Sequence, residues 1–174
     1  MVIPAESGTN SLASDAMPCV ARQAQLGEGW VRATIVPRDP TKGVAMTSIQ
    51  PQLWVDRPSE ALLFYKAAFG ATVLHCVGEG DDIVAQLDVG GAPFWIAPAS
   101  STMKRLSPLE IDGATGRTTL VVDDPDTVAR RAVAAGATET SPVSDEHGWR
   151  LGRILDPFGH EWEIGAPLGA WPPK

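Results

Sequence analysis

With 174 residues, 44% of them hydrophobic, the chain is long enough to bury a real core as one domain or as two joined half-domains, without needing disulfides or metal to fold. A formal charge of −7 with no Lys/Arg cluster disfavours nucleic acid as a partner, and no apolar run approaches membrane-spanning length. Cys19 and Cys76 are too few and too isolated for a zinc motif or a disulfide framework, and residues 1–30 lack the charged-then-apolar order of a signal peptide, so the expected compartment is a reducing cytoplasm.

Residues 1–45 are rich in Ser, Ala, Gly and Pro, show no sustained periodicity, and read as a poorly ordered or loosely docked extension. Within it, 30–36 (WVRATIV) can form one short strand on docking, followed by a linker, PRDPTKG. Met46 stands directly before the first strong strand, so the expected functional domain is 46–174, with Met46 as a domain boundary or true start. Ile49, Pro51, Leu53 and Val55 alternate with Gln50, Gln52 and Trp54, a strand with two distinct faces. Pro58 opens a helix whose apolar stripe is Ala61, Leu62, Phe64, Tyr65, Ala68 and Phe69, and Gly70 ends it. Strands are predicted at 72–77, 83–89 and 92–97, the last two joined by the Gly90-Gly91 turn.

After a turn-rich connector, 99–116, the same order returns: a strand at 118–122, a helix from Pro125 to Ala135, then strands near 138–143, 150–155 and 160–164. The two passages align letter by letter. VDRPSEALLFYKAAFGAT lies against VDDPDTVARRAVAAGAT, with Val55 on Val122, Pro58 on Pro125 and, after a one-residue deletion, Gly70-Ala71-Thr72 on Gly136-Ala137-Thr138. The predicted architecture is therefore α+β: module 1 (47–98) and module 2 (117–166), each βαβββ, forming a paired, cupped mixed sheet with helices on the outer faces and a short tail, 167–174. A unit of one helix and four strands covers one sheet face and leaves the other open, so the cleft between the modules is the expected place for a ligand.

The closing stretch, 148–165 (GWRLGRILDPFGHEWEIG), reads as strand, turn, strand, with Pro157 and Gly159 in the turn. Beyond it, Glu161 and Glu163 point to one side and Trp162 and Ile164 to the other, so one face is core and its opposite carries carboxylates. Gln50, Gln52 and Trp54 share a face of the first strand, and Trp95 lies opposite Phe94 and Ile96, which makes Trp54 and Trp95 candidate aromatic walls. His75 and His160 read as structural, His147 as exposed loop, Cys76 as a small core residue, and the run Asp123-Asp124-Pro125-Asp126 as helix capping.

Paired βαβββ modules, with VD-x-P-x-x-A-x-x-FY-x-x-AFGA in the first and DPFGHEWEI closing the second, resemble the vicinal oxygen chelate superfamily of glyoxalase I, extradiol dioxygenases, and bleomycin and fosfomycin resistance proteins. The FYKAAFGA and DPFGHEWEI wording is most similar to its PhnB-like branch. The resemblance covers about 47–166 and implies the fold more strongly than a reaction. It implies metal-ligand positions at Gln50 and Trp95 in module 1 and at Arg117 and Glu163 in module 2. Gln50 and Glu163 are able to ligate a cation such as Zn, Ni, Fe or Mn, whereas Trp95 offers no lone pair and Arg117 is permanently cationic. A complete site would need His75, His160 or Glu161 as further ligands.

Two functions follow as expectations. The first is binding of a small organic molecule in the cleft, without a complete metal site, through Gln50, Gln52, Trp54, Trp95, Arg117 and Glu163, with Arg117 standing across from Glu163 where relatives hold a cation. The alternative is a metal-dependent lyase or dioxygenase in which Glu163 is ligand and base. A module that binds no small ligand is a third possibility, and the resemblance also implies a homodimer.

Overall fold

The computed structural model describes residues 48–171. The predicted strand at 30–36 and the boundary at Met46 fall outside the described residues. The elements are β1 (Gln52–Val55), α1 (Pro58–Phe69), β2 (Thr72–Val77), β3 (Val84–Val89), β4 (Ala92–Pro98), β5 (Arg117–Val121), α2 (Pro125–Ala134), β6 (Thr138–Glu146), β7 (Trp149–Leu155) and β8 (Glu161–Pro167). They form two four-stranded mixed sheets, ordered β1-β4-β3-β2 and β5-β8-β7-β6, each with its first strand parallel to its last. The repeat extends to an irregularity: the register slips between Val73 and His75 in β2 and between Glu139 and Ser141 in β6, at aligned positions.

Local chemistry accounts for the helices. Pro58 and Pro125 occupy first-turn positions, where a missing N–H costs nothing. Asp124 caps α2 by accepting from Thr127 N at 3.0 Å, and hydrogen bonding from the Thr127 side chain first and its backbone second holds the Asp124 carboxyl below its ordinary value. Gly70, left-handed at φ +70°, closes α1 by donating to Lys66 O. One strand differs from expectation: β1 begins at Gln52, and Ile49 is 96% exposed beyond the sheet. Pro51 accepts from Trp95 N at 2.8 Å but has no N–H with which to carry the ladder further.

The helices pack against each other and against one face of each sheet, so both modules share one core. Tyr65 is fully buried amid Phe64, Phe69, Phe94, Phe158 and Trp162, rings that contribute about 1.5–3 kcal/mol each on leaving water. Polar clasps fix the modules' relation. The Arg57 guanidinium donates to Pro157 O at 3.1 Å, Arg131 Nε to Ala68 O at 2.5 Å, and the Tyr65 hydroxyl to Asp156 Oδ2 at 2.6 Å. The opposite face of each sheet is left for function.

Candidate functional site

Period-two alternation decides what those open faces carry. With Leu53, Phe94 and Ile96 turned into the core, Gln52 and its cross-strand partner Trp95 turn outward, joined by Gln86 of β3. Gln50, just before β1, completes a network: its Oε1 accepts from Trp95 Nε1 at 2.9 Å and from Gln86 Nε2 at 2.8 Å. His75, paired with Gln86 by the β2 irregularity, lies on this same face, its ring 6.2 Å from that of Trp95.

Module 2 repeats the plan with charges. Thr118, Leu120, Trp162 and Ile164 face inward or toward the core side, while Arg117, Glu161 and Glu163 face outward with Arg153 of β7. Glu163 Oε2 accepts from Arg117 Nη1 at 3.3 Å and from Arg153 Nε at 3.1 Å, and Arg117 Nη2 donates to Glu161 Oε1 at 2.7 Å. The Glu161 hydrogen bond is the main reason the Arg117 guanidinium is held above its already high ordinary value. In pairing terms Gln50, Gln86 and Trp95 stand where Arg117, Arg153 and Glu163 stand in the second module. Each network has one oxygen shared by two donors.

The expected partnership of Arg117 and Glu163 is thus adjacency on neighbouring strands, β5 and β8, rather than opposition across a cleft. The two expected tryptophan walls also part company. Trp95 is held in the amide network, whereas Trp54 lines a cavity of about 290 Å³ at the seam between the modules. There β1 supplies Gln52 and Trp54, β5 supplies Arg117, and the start of β8 supplies Glu161, with His160 just before it. Leu106, Pro108 and Ile111 of the connector form an apolar wall. His160 spans the seam, its Nε2 3.0 Å from Trp54 O, and the Arg105 guanidinium sits 5.0 Å from the Trp54 ring centroid.

Arg105, Arg153, Gln86 and the cavity-lining role of His160 were not singled out from the sequence. Arg153 had a usable signal, since it alternates with core-facing Ile154 and Gly152 on a strand that must pair with β8. Arg105 had none, because a connector has no period.

A divalent cation fits this donor set poorly. Both carboxylates that face outward on β8 are bound by guanidinium groups, Gln50 Oε1 is shared by two donors, and His160 is engaged with Trp54 O. Among the described residues no cluster of three or more His, Cys, Asp or Glu is able to hold a metal ion.

Residues 29–164 match the sequence model of the glyoxalase/bleomycin resistance protein/dioxygenase superfamily, and the chain belongs to that superfamily. Uncharacterized proteins of Mycobacterium bovis and Mycobacterium tuberculosis are each 34% identical to it over 127 residues, 70% of this chain and 84% and 75% of theirs. Among solved structures, a gene product from Arabidopsis thaliana is similar at 25% identity and TM-score 0.54, covering 68% of this chain and 98% of its own. TioX from a Micromonospora species is similar at 25% identity and TM-score 0.53, covering 74% of this chain and 100% of its own. The fosfomycin resistance protein FosX from Listeria monocytogenes, solved with Mn(II), shares the fold at 15% identity and TM-score 0.55, covering 72% of this chain and 93% of its own.

Proposed function

We propose that this protein binds a small organic molecule in the cavity between its βαβββ modules, acts without a metal centre, and belongs to the PhnB-like branch of its superfamily. The supporting observation is that Gln52 and Trp54 of one module and Arg117 and Glu161 of the other converge on a single cavity of about 290 Å³, with a polar side and an apolar wall. Glu163 does not line the cavity but pairs with Arg117, which does, and is assigned to binding rather than catalysis, since its Oε2 is shared by two guanidinium groups. Gln50 and Trp95 form a neutral hydrogen-bonding patch on the neighbouring sheet face, open to the same ligand or to a second copy of the chain.

A homodimer acting in the cytoplasm, with the functional unit beginning at Met46, completes the proposal. Exposed Val77 and Val121, on the open side of each sheet, support a copy-to-copy contact there. No helix among the described residues is long and apolar enough to cross a membrane.

The test is a screen of small organic compounds by tryptophan fluorescence on the full chain, repeated on Trp54→Leu and Arg117→Met. At least one compound class should bind saturably to the native protein and lose affinity in both variants. Hits that ignore both substitutions would sink the proposal. Light scattering on the same preparations reads the oligomeric state, and a monomer would remove the dimer.

A further inference from the structure

The charges around the inter-module cavity do not cancel. Arg117 and Glu161, the charged side chains on its wall, neutralise each other at 2.7 Å. Arg105 has no such partner: stacked over Trp54, it makes no ion pair with any described residue. The connector's nearest carboxylate in sequence on the C-terminal side, Glu110, is committed to Ser107 N at 2.8 Å. The Arg105 side chain is exposed, but its backbone is held in place. Its N and O exchange hydrogen bonds with Ser100 at 2.9 and 2.7 Å, across a tight turn in which Lys104 is left-handed at φ +57°. An uncompensated guanidinium therefore stands beside the cavity's indole in a chain whose formal charge is −7.

We propose that the cavity selects planar aromatic monoanions, such as aryl carboxylates or sulfonates, with Arg105 as the residue that recognises the acid group. The aromatic ring packs beside Trp54 against the wall of Leu106 and Ile111, and the anionic group reaches the Arg105 guanidinium, which lies over the Trp54 ring at the cavity's margin. A neutral ligand of the same shape leaves that charge unused, and a cationic one meets repulsion. This selectivity rests on the reading of the cavity as the ligand site and adds a charge preference that the reading alone does not require.

The experiment compares 2-naphthoate with its uncharged amide, 2-naphthamide, by isothermal titration calorimetry on the full chain. The carboxylate should bind at least about tenfold more tightly, the equivalent of one charge-assisted contact. Arg105→Gln should abolish the difference while leaving 2-naphthamide affinity in place, and Arg105→Lys should restore part of it. Ala114→Phe, which fills the cavity from the connector, should abolish both. Equal affinities in the native protein, or a preference that survives Arg105→Gln, would overturn the inference while leaving the cavity reading intact. Failure of both probes to bind would overturn the inference alone, whereas binding indifferent to Ala114→Phe would overturn it together with the reading of this cavity as the ligand site. Thermal melting of each variant confirms that it is folded.

Discussion

The Tyr65 hydroxyl lies 2.6 Å from Asp156 Oδ2, joining the first module's helix to the second module's DPFG turn across 91 positions of sequence. Asp156 is 3% exposed, and its two oxygens also accept from Trp162 Nε1 at 3.0 Å, Phe158 N at 3.0 Å and His160 N at 2.9 Å. One buried carboxylate thus ties together a helix, a turn and a strand, and the same turn sets the His160 ring against Trp54. Asp156→Ala would strand buried donors on both modules. It should cost about 3 kcal/mol, the upper range for loss of one charged acceptor, while Asp156→Asn should cost less. Urea denaturation measures both, and a loss no larger than that of an exposed substitution would show the clasp to be dispensable.

The same pair makes stability fall in alkali. Burial, and then the negative charge of Asp156, push the Tyr65 phenol well above its ordinary value of 10.0. Once the pH exceeds that ordinary value, the unfolded chain releases the phenolic proton while the folded chain retains it. The folded state then binds more protons, so stability declines as pH rises; below about pH 9 the contribution is fully present. Tyr65 is the one tyrosine in the sequence, so phenolate absorbance reports on it directly. Phenolate should appear together with unfolding, well above the titration of a free tyrosine. Tyr65→Phe should lose about 1 kcal/mol at neutral pH and show a shallower alkaline decline. A phenol that ionises at its ordinary pH in the folded protein would contradict this.

The βαβββ duplication was legible because it rests on local signals that tertiary context did not override: Pro58 and Pro125 at helix starts, Gly70 at a helix end, and period-two alternation in Leu53, Val55, Phe94, Ile96, Trp162 and Ile164. The strand edges were less so. Proline limited β1 at Pro51, and β8 ran on to Pro167 because β7 continues beside it. Alternation also identified Gln50, Trp95 and Glu163 as facing away from the core, and Gln50 meets Trp95 there, whereas Arg117, placed through the family resemblance and expected across the cleft, meets Glu163 from the adjacent strand. What alternation does not encode is distance across a seam. It gave no means of separating Trp54 from Trp95, or of placing Arg105 over an indole from an aperiodic connector.

The guanidinium groups that occupy Glu161 and Glu163 imply weak metal affinity. Dialysis of the full chain against nickel, zinc, iron or manganese, followed by elemental analysis, should leave less than stoichiometric metal. Removing the competing cations in Arg117→Met, Arg153→Met should raise metal uptake only slightly, since two carboxylates without further ligands form an incomplete site. Near-stoichiometric metal in the native protein that disappears in Glu163→Ala would reverse this reading and raise the metal-dependent lyase or dioxygenase from alternative to leading function.

The Arg117–Glu161 pair separates stability from recognition. Its side chains are 39% and 29% exposed, so solvent screens the pair, and breaking it should change folding stability by no more than about 1 kcal/mol. In the cavity the consequence is larger, because Glu161 is the negative charge that offsets Arg117 on the wall. Glu161→Gln leaves an amide of nearly the same size and removes the nearer of Arg117's two carboxylate partners, Glu163 remaining at 3.3 Å and shared with Arg153, so the charge on the cavity wall becomes more positive and Arg117 adds to Arg105 in favouring anions. Affinity for 2-naphthoate should rise several-fold over the native protein at low salt, affinity for 2-naphthamide should stay unchanged, and the gain should shrink as added salt screens the exposed charges. Calorimetry at two ionic strengths measures this. A drop in 2-naphthoate affinity would mean that Glu161 positions Arg117 for the ligand, making the ion pair a necessary part of the binding geometry.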